Sequence, residues 1–223
     1  MPSDHQSPNQ QNVRVLRVLC VSLLLLFLAG CSGNAASSPH KPPISPADAV
    51  SASTQGNIRL VDIDGLELRH AQDTRTIALV FILPDCPICN SYLPKLNRLH
   101  ETFANRDVTL ALIHADPDIT AERAREHANE YRIQWPIVLD PRHEWVKRAG
   151  ATIAPEAAVF SSTGDLLYLG RIDNQYAGLG KRRASVTSHD LADALESVLA
   201  GRQAPEPRTE AVGCSTPEPP RGE

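Results

Sequence analysis

Two cysteines with two residues between them, Cys86-Pro87-Ile88-Cys89, stand where an apolar run ends and an amphipathic segment begins. Thiols at that spacing can close a disulfide with each other, and a thiolate at either position can attack a disulfide or a peroxide. A free cysteine titrates at about 8.5, so the chemistry needs a group that favours the anion. A helix N-terminus is such a group, because its unpaired backbone N–H groups and positive dipole end stabilise negative charge. Cys86 is therefore expected to be the exposed nucleophile. Cys89, one turn into the helix, is expected to be the more buried resolving thiol, the two forming a redox-active disulfide. Pro87 limits the conformations between them. The expected sequence is attack by Cys86, a mixed disulfide with the substrate, and displacement by Cys89.

The elements that must hold these thiols are legible around them. TIALVFIL (76–83) is a continuous β-branched and apolar run, which predicts a central strand buried on both faces. Residues 87–105 place Ile88, Leu93, Leu96, Leu99 and Phe103 close to helical spacing. DVTLALIHAD (107–116) reads as a second buried strand, and TAERAREHANEYR (120–132) as a charged helix capped by Thr120. WPIVLD (135–140) predicts a strand, and HEWVKRAGA a short helix ended by glycine. PEAAVF (155–160) and LLYLGRID (166–173), joined by Ser-Thr-Gly-Asp, predict a β-hairpin. SHDLADALESVLAG (188–201) closes the domain as an amphipathic helix, with Ser188 as cap and Gly201 as stop. Upstream, IRLVDIDG and LELRH read as two strands about an Asp64-Gly65 turn. Strands alternating with helices, then a hairpin and a last helix, predict an α/β fold with a mixed central β-sheet flanked by helices.

Composition bounds the function. The chain has 223 residues, a formal net charge of −4, and 42% hydrophobic but only 4% aromatic residues, so its core must be aliphatic. There is no basic footprint for nucleic acid. Arg14 and Arg17 precede a 12-residue apolar stretch, VLCVSLLLLFLA (18–29), short for a membrane span. It ends in Leu28-Ala29-Gly30-Cys31, which resembles the lipobox of bacterial lipoproteins, in which the cysteine is lipidated. That resemblance implies a signal peptide over 1–30, lipidation of Cys31, and a place in the cell envelope facing the periplasm, with the outer membrane slightly favoured by Ser32. Residues 31–56, rich in Ser, Ala and Pro, read as a flexible tether of about 28 Å root-mean-square span. A single folded domain is expected over 57–202 and a Pro-rich tail over 203–223. Outside the cytosol disulfides persist, so the pair at 86 and 89 reads as a redox pair. Cys214, in the tail, is a possible auxiliary thiol: a coil of about 20 Å lets it reach the other two, to exchange with them or to pin the tail to a partner.

With Cys86-Pro87-Ile88-Cys89 after a buried strand, Pro94 inside the following helix, and Ala154-Pro155 before the strand AAVF, the chain resembles thioredoxin-fold redoxins. This branch includes the alkyl hydroperoxide reductase/thiol-specific antioxidant family and membrane-tethered bacterial thiol-disulfide oxidoreductases. The resemblance covers roughly 57–200 and implies a thioredoxin-like fold, a cis peptide at Pro155 facing the cysteines, no cofactor, and protein dithiol or disulfide substrates with an upstream electron donor. The GRIDNQY segment and Cys214 also look like redoxins with an extra C-terminal cysteine. Two departures stand out. Asp85 precedes the first cysteine where thioredoxins carry an aromatic, and its charge opposes a thiolate. Val80 stands where they carry a buried acid, so proton handling would pass through water or through Glu156 beside Pro155, although a solvated surface residue is the ordinary expectation for Glu156.

Two other functions are weighed against the oxidoreductase. A peroxidase of the same superfamily would need Pro-x-x-x-Thr/Ser-x-x-Cys, and Leu79 and Leu83 occupy the Pro and Thr positions. A copper-binding or respiratory-assembly redoxin without turnover would use both cysteines and a distant histidine, His143 first and His114 second, since thiolates suit Cu(I). Each histidine is more simply a loop or surface residue, so no metal is expected. Trp135 and Trp145 are expected to pack near the sheet end, with Trp135 alternatively lining a groove.

Overall fold

The run Thr76–Ile82 forms strand β1, buried along its whole length. In this computed structural model, residues 60–68 and 76–218 are described; the expected leader, Cys31 and the expected tether lie outside them. β1 pairs in parallel with β2 (Val108–His114), from Thr76 opposite Val108 to Ile82 opposite His114, and β2 pairs in parallel with β3 (Ile137–Leu139). On its other side β1 runs antiparallel to β5 (Glu156–Ser161), which forms the expected hairpin with β6 (Leu166–Gly170). The sheet order is β3-β2-β1-β5-β6. A helix with Cys86 at its N-cap follows the central strand of this mixed sheet, and a cis peptide bond precedes β5; this is a thioredoxin-like fold.

Alternation along β1 divides the interior in two. Ala78, Val80 and Ile82 face one layer together with Leu93 and Leu96 of helix α1 (Pro87–Phe103) and Leu191 and Leu195 of helix α4 (Asp190–Leu199). Ile77, Leu79 and Phe81 face a second layer with Val146 and Ala149 of helix α3 (Glu144–Ala149). Each of the buried Val, Leu and Ile side chains among these contributes about 1.5–3 kcal/mol by burial, which is how a chain poor in aromatics holds a core. Helix α2 (Ala121–Tyr131) begins as expected at Thr120, whose hydroxyl accepts from Arg123 N at 3.1 Å. Gly150, at φ 72°, ends α3 in the left-handed region, which glycine enters without a Cβ clash.

The structure differs from the sequence expectations in three places. The 60–68 segment makes a turn with one antiparallel bridge, Val61 to Glu67, and its Ile63 N donates to Ile137 O of edge strand β3 at 2.8 Å. At α4 the cap is His189 rather than Ser188, and Asp190 is gripped by Arg171 through Nε at 2.9 Å and Nη2 at 3.0 Å. The tail also has structure: Ala204 is buried and Cys214–Ser215 forms strand β9 on β4 (Ile153–Ala154). Its proline content hid this, because the pairing partner is far away in sequence. Among the described residues, no helix is long and apolar enough to cross a membrane.

Candidate active site

Cys86 is the N-cap of α1, in extended conformation (φ −85°, ψ 114°), and Pro87 takes the first helical position. A proline loses nothing there, because that N–H has no partner inside the helix. Cys86 N donates to Leu83 O at 3.2 Å, and its own carbonyl starts the helix by accepting from Asn90 N at 3.0 Å. The Asn90 amide then ties the turn, Nδ2 donating to Pro84 O at 2.8 Å. Its Oδ1 is 3.0 Å from His127 Nε2. Since Nδ2 already donates, Oδ1 accepts, which puts the His127 proton on Nε2. Neither Asn90 nor His127 was singled out from sequence: residues from α1 and α2 meet only in the fold.

The sulfur chemistry is divided among three cysteines. Cys86 is joined to Cys214 in a disulfide with Cα atoms 6.3 Å apart, across 128 residues of sequence. Cys89 is a free, fully buried thiol. Burial pushes the Cys89 thiol up to about 12, against the smaller opposing effect of N–H groups, among them Leu83 N at 3.5 Å from its sulfur. Cys86 is 2% exposed, whereas Cys214 is half-buried; the nucleophile expected to be exposed is covered by the tail. The Cys86 sulfur lies 3.6 Å from the Ala154 carbonyl oxygen. Ala154-Pro155 is a cis peptide, and it is the carbonyl of Ala154 that lies against the Cys86 sulfur.

The charges near the site are arranged differently from the sequence reading. Asp85 points outward and meets Arg123 Nη2 at 3.3 Å, so a cation offsets the carboxylate next to Cys86. Glu156 is buried rather than solvated. It lies opposite Phe81 in the register, on the layer away from Cys86 and Cys89, and its Oε2 accepts from Thr152 N at 3.0 Å. Burial raises its carboxyl above the ordinary range, opposed by the Thr152 and Ile153 amides and by Arg208. Its work is to hold the 152–154 segment, on which the tail pairs. His143 is buried with Nε2 2.9 Å from Ala115 O, and His114 is buried with both ring nitrogens unpartnered. Among the described residues no three metal-ligating side chains converge. Trp135 packs as expected, its Nε1 donating to Asn97 Oδ1 at 2.8 Å and its ring stacked on His100; Trp145 lies under the Arg148 guanidinium.

Beside this site, Asp173 anchors the loop after β6. Tyr92 OH donates to its Oδ1 at 2.7 Å, Gln175 N donates to the same atom at 2.8 Å, and Lys95 pairs with Oδ2. Thus the GRIDNQY segment is fixed onto α1 two turns from the cysteines.

Comparison with known proteins places this arrangement. An uncharacterized conserved protein from Geobacillus kaustophilus superposes with a TM-score of 0.64 at 23% identity, over 74% of this chain and 90% of that one. A hypothetical protein from Sinorhizobium meliloti 1021 superposes with a TM-score of 0.63 at 23% identity, over 75% and 93%. These likenesses show a shared fold. A search of the curated proteins found no match. The Redoxin family model matches residues 55–178, a span that holds both cysteines of the pair and the cis-proline and stops short of α4 and Cys214. Spanning more than half of the sequence, that match shows that the chain belongs to the Redoxin family.

Proposed function

We propose that this redoxin is a thiol-disulfide oxidoreductase in which Cys86 is the nucleophile and Cys89 and Cys214 are its alternative partners. One observation carries the reading: Cys86, at the N-terminus of α1, is bonded to a cysteine from the tail while a second thiol waits one turn along its own helix. A sulfur with two available partners can pass a disulfide on. The helix end favours Cys86 as thiolate and therefore as leaving group, and burial keeps Cys89 protonated until it is needed. The substrates are protein dithiols or disulfides, renewed by an upstream electron donor. The enzyme works on the periplasmic side of the envelope, tethered by a lipid on Cys31. The tether rests on the sequence alone, in residues outside the described part.

The test is to treat the reduced protein with a disulfide-bonded protein or with hydrogen peroxide and to map Cys86, Cys89 and Cys214 by mass. Fast exchange with the protein disulfide and slow peroxide oxidation are expected. Fast, selective oxidation of Cys86 by peroxide would replace this reading with a thiol peroxidase. Cys86→Ser should abolish exchange, and the double variant Cys89→Ser/Cys214→Ser should accumulate mixed disulfides; normal turnover by that double variant would contradict resolution by either thiol.

A further inference from the structure

The surface that receives the tail has the features of a peptide site. The Cys86–Cys214 bond comes with backbone pairing: β4 and β9 are antiparallel, with Ile153 opposite Ser215 and Ala154 opposite Cys214. Thr216 N donates to Thr152 O at 3.1 Å, and its hydroxyl donates to the same oxygen at 3.3 Å. Residues 152–154 therefore present a strand edge, and the tail is an extended peptide added to it with its sulfur on the nucleophile.

The fit is tightest just before the cysteine. A Cβ on Gly213 would overlap the Ala154 carbonyl oxygen and lie 2.9 Å from Pro155 N. Both are backbone atoms, next to a proline ring on one side and a sheet strand on the other, so they cannot step aside as a flexible side chain could. The requirement here is for space and not for backbone conformation. Beyond the cysteine the restriction ends, since Ser215 is exposed.

The tail is also held in two separable parts. Leu169 N donates to Pro207 O at 3.0 Å and Thr209 N to Leu169 O at 3.2 Å, so this part lies along edge strand β6. Thr209 Oγ1 accepts from Arg171 N at 3.0 Å and pairs with Tyr168 OH at 2.8 Å. Gly170 makes room: a Cβ there would sit 2.6 Å from Thr209 O. From Thr209, the five residues to Cys214 reach at most about 17 Å. The distal part can leave while its anchor stays, and the thiol remains close by.

We infer that the groove between Thr152–Ala154 and Cys86 binds an extended protein segment in which glycine precedes the reacting cysteine, and that residues 213–216 are its tethered occupant. The inference rests on the oxidoreductase reading. With the protein reduced, the Cys86 thiolate attacks the Gly-Cys sulfur of a partner disulfide; the partner's other sulfur leaves as a thiolate and takes up a proton. The Cys214 thiolate then attacks Cys86, the partner cysteine leaves as the second thiolate, and Cys86–Cys214 forms. The partner gains two electrons and the protein loses two; the reverse sequence oxidises the partner. Since tail and partner claim one place, closure of the tail ejects the product.

The test uses the full-length reduced protein and two synthetic peptides, Ala-Val-Gly-Cys-Ser-Thr and the same peptide with alanine before the cysteine. Each carries its cysteine as a mixed disulfide with thionitrobenzoate, and the symmetrical disulfide of that dye serves as a small probe that does not need the groove. The glycine peptide should react at least about tenfold faster than the alanine peptide, as an overpacked contact predicts. In parallel, mass mapping of the oxidised Gly213→Ala protein should show Cys86–Cys214 giving way to Cys86–Cys89. Equal peptide rates with normal reaction of the small probe would overturn the inference and leave the oxidoreductase reading standing, as would a Gly213→Ala protein that keeps Cys86–Cys214. Failure of Cys86 with all three probes would overturn the oxidoreductase reading, while the disulfide map of Gly213→Ala would still judge the groove.

Discussion

Cys89 shows how one buried group can set a rate. With its thiol pushed up to about 12, only about one molecule in 10⁵ carries the thiolate at pH 7. Attack of Cys89 on the Cys86 sulfur of the Cys86–Cys214 bond, which releases Cys214, should therefore accelerate about tenfold per pH unit from pH 7 to 9.5. Acid quenching followed by thiol alkylation and mass mapping gives the rate, and a flat profile would contradict the burial argument. His114 titrates in the opposite sense. Burial first, then the nearby His127 and Arg123, push it down to about 3. The folded protein refuses a proton that the unfolded chain accepts below about 6.5, so stability rises with pH through this window and is lost as pH falls from 6.5 towards 3. The full effect is on the order of 5 kcal/mol. Urea unfolding of His114→Leu from pH 3 to 7 should show a flatter pH dependence than the parent.

At the scale of elements, short pieces of structure depend on single acceptors. Helix α3 has only six residues, and its first turn is satisfied by Asp140, whose Oδ1 accepts from Glu144 N at 2.7 Å and whose Oδ2 accepts from Trp145 N at 3.0 Å and Val146 N at 2.9 Å. Asp140→Ala leaves these amides, one buried and two partly buried, without their acceptor and should cost about 3 kcal/mol. A loss below about 0.5 kcal/mol in urea unfolding would mean that water replaces the carboxylate. Elements of this kind were only partly legible. Strands β1, β2, β5 and β6 and helices α1 and α4 follow from apolar runs and spacing, because each carries a buried face, whereas α2 follows from its charge pattern and its Thr120 cap. β4 and β9, of two residues each, have no periodicity to read and exist only as a pair.

For the whole molecule, the Cys86–Cys214 bond closes most of the domain into one loop. By the chain-entropy argument, a loop of this length restricts the unfolded state by about 5 kcal/mol, of which measured disulfides deliver a part. Cys214→Ser should lower the stability of the oxidised protein by about 2–4 kcal/mol, and a reductant should erase the difference. A difference that persists under reduction would assign the effect to packing of the tail. The amino-acid sequence by itself determined the α/β fold with its mixed central sheet and placed Cys86 at a helix start, because burial patterns, helix ends and proline positions are local. Tertiary structure alone decided which cysteine Cys86 takes, since loop closure over 128 residues leaves no local trace. It also decided that Glu156 holds the strand receiving the tail rather than facing the thiols, because the face a side chain takes follows from the register of β5 on β1.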